Sequence, residues 1–139
     1  FQRVKRWLPS LMEDEAGQRW EVEGLSERFR LVKYDAGMCF PPHFDGAEKA
    51  DDSLHSFLSI VFYLDKGGGL LSLDKDFRGG ELIFLEGDMN DLDRKTKPLH
   101  KLVPERGLAV VFPHKTLHES KSLSSGHKYI IRQDVMYRK

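Results

Sequence analysis

Apolar residues recur along this chain with a period of two, in runs that turn residues cut short before any becomes long. Arg28-Phe29-Arg30-Leu31-Val32-Lys33-Tyr34 is one such run, closed by Asp35-Ala36-Gly37. Alternation of this kind places one side of a segment in a core and the other toward solvent, as in half-buried strands. Runs at 20–23, 28–34, 40–45, 56–65, 80–85, 99–103, 107–112 and 128–137 predict about eight strands. Strands this short and this evenly spaced close into a sandwich or barrel, and a jelly roll is the expected version. Before them, Val4, Trp7, Leu8 and Leu11 follow a helical spacing that Pro9 should kink or end. The expected class is therefore mainly β, with a flanking N-terminal helix. A length of 139 residues fits one domain, with 1–27 as helical and strand support and 28–137 as the jelly-roll core.

Composition narrows the function. Twenty-two basic and 22 acidic side chains leave no net charge, which argues against a nucleic-acid binder that works by bulk charge. No apolar run approaches the length of a membrane span. The single Cys39 rules out an internal disulfide framework or a cysteine-based zinc site, and favours a reducing intracellular compartment. It reads as a small buried hydrophobe, and Trp7 and Trp20 read as packing residues. The chain opens at Phe1 with no Met or signal-peptide pattern, as expected of a processed product or excised domain.

The chemistry sits at few positions. His43 and Asp45 are two apart in an extended segment, so both side chains point to one side and can clasp a metal. His114 and His118 compete as a third ligand. Two imidazoles and one carboxylate make the facial triad of non-haem Fe(II) oxygenases, which leaves coordination positions open for a 2-oxo acid and dioxygen. Such an acid needs a buried cation for its far carboxylate. By alternation Lys128, Ile130, Arg132 and Asp134 share one side of the last strand, and two of these are cations. A carboxylate series at Asp88, Asn90, Asp91 and Asp93 looks like a calcium loop, but Leu92 occupies a ligand position and no Glu closes it.

His43-x-Asp45, Gly79-Gly80-Glu81, the run 107–112, His118 and Gly126-x-Lys128-Tyr129 resemble the 2-oxoglutarate and Fe(II)-dependent dioxygenases of the prolyl 4-hydroxylase-like group. The resemblance extends from about Arg28 to Tyr137 and implies a double-stranded β-helix, a jelly-roll variant. It implies Fe(II), 2-oxoglutarate and O2, with ascorbate as an accessory, and His43, Asp45 and His118 as the iron ligands. In the prolyl 4-hydroxylases a Lys ten residues past the distal His binds the cosubstrate C5 carboxylate. Lys128 stands ten past His118, whereas the same count from His114 reaches Ser124. Arg132 remains the rival cation, and Tyr34 and Tyr63 stand where similar enzymes touch the cosubstrate. The implied reaction hydroxylates a carbon of a protein side chain and releases succinate and CO2. A protein or peptide is the expected partner, a small molecule the alternative. Two other readings use the same residues, a non-catalytic metal-binding jelly roll and an oxidative nucleic acid demethylase; zero net charge disfavours the second. Loops at 48–52 and 86–97 are the expected specificity elements.

Overall fold

The structure is a computed structural model that describes residues 1–68, 75–87 and 96–139. Residues 88–95, which carry the calcium-like carboxylates and most of the expected loop 86–97, lie outside the described residues. Among the described residues the chain forms β1 (Leu11–Glu13), β2 (Arg19–Leu25), β3 (Arg30–Asp35), β4 (Phe40–His43), β5 (Lys49–Asp51), β6 (Leu54–Tyr63), β7 (Gly67–Gly68), β8 (Phe77–Gly79), β9 (Leu82–Glu86), β10 (Lys97–Leu102), β11 (Ala109–Pro113), β12 (His118–Ser120) and β13 (Leu123–Arg138).

The 16-residue β13 organises the larger sheet. It pairs antiparallel with β2, β3, β6 and β8, and β11 adds to the far side of β6. A second sheet runs β10-β9-β12-β4, all antiparallel. Val61, Tyr63 and Phe112 from the large sheet pack with Phe84 and Leu102 from the small one, so the two curled sheets enclose an inner core. This is a jelly-roll arrangement. Alternation along β6 explains its two sides. Ser59, Val61 and Tyr63 face inward, while Leu58 and Ile60 pack outward against Leu8, Trp20, Val135 and Tyr137.

The expected N-terminal helix is absent. Lys5–Trp7 makes a single 3-10 turn, and Leu8 is already extended, with φ −93 and ψ 143. Pro9 accounts for this: it clashes with a helical residue before it and offers no N–H to continue the ladder. The apolar side chains at helical spacing serve another purpose, since Val4 and Leu8 cover the outer side of the large sheet. Trp7 is 73% exposed and lies beside the Arg6 guanidinium, so it is not the packing residue expected. Part of the expected loop 48–52 is the short strand β5, paired with β6. No helix among the described residues is long and apolar enough to cross a membrane.

Candidate metal centre and its cavity

Register brings the histidines together. His118 at the start of β12 lies directly opposite His43 at the end of β4. Their rings are 4.2 Å apart between centroids. Each Nδ1 meets a backbone carbonyl two residues back, Pro41 for His43 and Thr116 for His118, both at 2.8 Å. A carbonyl only accepts, so each ring carries its proton on Nδ1 and presents a bare Nε2. Those two nitrogens face one carboxylate: His43 Nε2 is 3.7 Å from Asp45 Oδ1, and His118 Nε2 is 3.9 Å from Asp45 Oδ2. The three candidate ligand atoms lie within 4.8 Å of one another. Burial pushes the His118 pKa down, keeping the imidazole neutral as a ligand must be. Burial alone would raise the Asp45 pKa, but the hydrogen bond from Ser59 and the charge of Arg132 hold it well below the usual carboxylate range. A ligand set of two neutral imidazoles and one ionised carboxylate fits Fe(II).

His114 is buried nearby but is differently engaged. Ser59 gives its hydroxyl proton to Asp45 Oδ2 at 2.5 Å, so at 2.9 Å it accepts from His114 Nδ1. Ser56 accepts the Glu48 N–H and turns its own proton to His114 Nε2 at 2.8 Å. One neutral tautomer satisfies every group, and neither ring nitrogen is left for a metal. His114 instead supports Asp45, through Ser59 and through its carbonyl, which accepts the Asp45 N–H at 3.1 Å.

A cavity of about 210 Å³ opens beside the three residues. Lys128, Ile130 and Arg132 line it from β13, as alternation predicts, and Tyr34 and Tyr63 line it from β3 and β6. Lys128 is only 2% exposed. Its Nζ donates to the Gly80 carbonyl at 3.0 Å and to the Ser120 hydroxyl, and sits 4.3 Å over the Tyr34 ring. All three partners are neutral. Burial outweighs the attraction of Glu81 and brings the Lys128 pKa down to about 8. Burial raises the pKa of Tyr34 and Tyr63, so both keep their protons. Arg132 contrasts with Lys128: Nε donates to Asp45 Oδ2, and Nη2 to Ser59 Oγ and Asp134 Oδ1, each at 3.1 Å.

Sequence reasoning missed Ser56, Ser59, Ser120 and Arg30. Ser59 left a trace, a polar residue breaking an apolar run. Arg30 left another, two places before Val32 and four before Tyr34 on one side of a strand. Cys39, expected to be buried, is exposed at the head of an edge strand. His55, His100 and His127 lie away from the cluster. His55 stacks on Trp20, His100 is on the exposed β10, and His127 pairs with Asp35.

No curated protein matches the sequence. Among solved structures, a prolyl-4-hydroxylase of Pseudomonas putida shares 24% identity at a TM-score of 0.54, over 84% of this chain and 55% of that one. A viral collagen prolyl hydroxylase of Paramecium Bursaria Chlorella virus-1, solved with 2-oxoglutarate, shares 20% at 0.47, over 81% of this chain and 62% of that one. The chain thus spans less than two thirds of either, and the first likeness supports the fold. Residues 29–133, which include all three candidate ligands and the cavity residues Tyr34, Tyr63, Lys128 and Arg132, match a single family description. The chain belongs to the 2OG-Fe(II) oxygenase superfamily.

Proposed function

We propose that the protein is an Fe(II)- and 2-oxoglutarate-dependent dioxygenase that hydroxylates a carbon of a protein side chain, in the manner of a prolyl hydroxylase. The observation that carries this reading is the pairing, in one cavity, of the His43, Asp45 and His118 donor atoms with a buried lysine whose partners are all neutral. When bound, Fe(II) and 2-oxoglutarate supply the chemistry that converts O2 and the 2-oxo acid into succinate, CO2 and a hydroxylated carbon.

His43, Asp45 and His118 would hold the metal, with the two Nδ1–H bonds to backbone carbonyls fixing ring direction in advance. Lys128 would receive the far carboxylate of 2-oxoglutarate. A buried ammonium in direct contact only with neutral partners is costly, since the attraction of Glu81 does not offset burial, and a carboxylate relieves that cost by a charge-assisted hydrogen bond. Arg132 already faces two carboxylates and would hold Asp45 in place. A cavity of about 210 Å³ falls below the range for drug-sized ligands and suits a small dicarboxylate plus the tip of a substrate side chain. Val61, Phe112 and Ile130 exclude bulk water from its walls. The names of the solved relatives favour a prolyl residue in a peptide as substrate.

The test is incubation with Fe(II), 2-oxoglutarate and a peptide pool, read for succinate and for a mass gain of one oxygen. Succinate above a metal-free control is expected. Absence of both 2-oxoglutarate binding and succinate would overturn the reading.

A further inference from the structure

The cavity carries a cation that neither the metal nor the cosubstrate uses. Arg30, Val32 and Tyr34 all line it from β3. Tyr34 lies under Lys128, at the end proposed for the far carboxylate of 2-oxoglutarate. Four residues of extended strand separate Arg30 from Tyr34, which is about 13 Å. Arg30 therefore stands toward the other end, and its side chain is 38% exposed, against 16% for Arg132.

Arg30 is placed against electrostatic preference. It lies directly opposite Arg132 across the β3–β13 pairing, and like charges in that position repel. Asp134, fully buried, holds the two together, with Oδ2 3.0 Å from Arg30 Nη1 and Oδ1 3.1 Å from Arg132 Nη2. Neutralising Asp134 does not require both, because Arg132 already reaches it. Arg132 is also tied to Asp45. Once Asp45 and one cosubstrate carboxylate face a divalent cation, and Lys128 faces the other carboxylate, Asp134 alone is left to balance two guanidinium groups. One positive charge remains, on the more exposed of the pair, and among the described residues only Nη1 of Arg30 is engaged in a hydrogen bond.

We infer that Arg30 docks a carboxylate that the substrate carries close to the carbon to be hydroxylated. This rests on the proposed reading of the site and adds the class of substrate, an anionic one. The carboxylate comes either from an acidic residue beside the target in a peptide or from a free amino or small organic acid. Arg30 is then a specificity residue, since its planar fork matches a carboxylate bidentately.

The test uses immobilised protein loaded with Mn(II) and 2-oxoglutarate, and a parallel metal-free sample. The probes are a random-sequence peptide pool and free amino acids paired with their amides. Retained peptides are identified by mass spectrometry. Enrichment of Asp and Glu of about tenfold is expected, from one charge-assisted contact. In Arg30→Glu the preference should turn toward Lys and Arg. Arg30→Gln, which keeps an amide donor for Asp134, should lose the preference while its thermal transition reports an intact fold. Retention of free acids over amides, without enrichment of acidic peptides, assigns the carboxylate to a small molecule. Acidic probes held no better than basic or amide ones, or a preference unchanged in Arg30→Glu and Arg30→Gln, overturns the inference. Failure of the parent protein to take up Mn(II) and 2-oxoglutarate overturns the reading of the metal centre and, with it, the residual charge from which Arg30 is assigned, whereas uptake without a preference for acidic probes overturns the role of Arg30 alone.

Discussion

At the scale of single residues, what separates a ligand from a neighbour is which ring nitrogen is free. Replacing His43, Asp45 or His118 by Ala should abolish Fe(II) binding in a metal titration. His114→Ala should keep the site but weaken it about 10- to 100-fold, because the His114 side chain reaches Asp45 only through Ser59, and its backbone contact survives the change. Equal losses at all four positions would contradict this assignment. Lys128→Ala should weaken 2-oxoglutarate binding by about 2–4 kcal/mol, roughly thirty- to a thousand-fold, by calorimetry. The lowered pKa adds a pH signature. The cation is the binding form, so wild-type affinity should fall above about pH 8, and Lys128→Ala should lack that dependence. The sign for stability is opposite. Between about 8 and the ordinary 10.5, the unfolded chain binds this proton more strongly than the folded protein, so the Lys128 contribution to stability rises with pH across that window. His43, Asp45 and the choice between His114 and His118 could be posed from spacing. The Nδ1 bonds that distinguish His43 and His118 from His114 could not, because they depend on turns that bring the Pro41 and Thr116 carbonyls to the first two rings.

At the scale of elements, β13 was legible and the strands of two or three residues were not. Its alternation of Lys128, Ile130 and Arg132 survives in the cavity wall, since a strand paired on both sides keeps its pleat. β12, three residues long, leaves no period in the sequence, yet it carries His118. The N-terminal segment shows the reverse failure, a clear helical period defeated by one proline. Gly126 is where β13 depends on a residue with no side chain. It has φ +80, and an added Cβ would lie 2.2 Å from the Asp76 carbonyl and 2.8 Å from Phe77 Cα. Both obstacles are backbone, so the β8–β13 pairing must part to admit it. Gly126→Ala should cost about 2–4 kcal/mol in chemical denaturation. It should also weaken 2-oxoglutarate binding, because Lys128 is two residues along the displaced strand. A variant as stable as the parent would show that the β8 segment yields freely.

For the whole molecule, the two sides of the large sheet divide the work. The inner side gives up apolar packing for Asp45, Ser59, His114, Arg132 and Asp134, a buried polar cluster that stabilises little beyond its own desolvation. The outer side is where the chain recovers stability, with Leu58, Ile60, Val135 and Tyr137 closed over by Leu8 and Trp20. The Tyr137 hydroxyl donates to the Pro9 carbonyl at 3.0 Å and pins the same segment. The alternating pattern foretold that β6 and β13 would each have two environments; it could not say that residues 1–10 would roof one of them, since that is a contact between distant parts of the chain. Leu8→Ala removes a buried side chain from this roof and should cost about 2–4 kcal/mol. Because Leu8 and the candidate metal ligands lie on opposite sides of β6, Fe(II) affinity at a temperature where the variant is folded should stay within about twofold. Thermal denaturation paired with metal titration measures both quantities. A large loss of metal affinity together with stability would mean that the outer roof sets the position of the inner ligands, and that the two sides of the sheet are one mechanical unit.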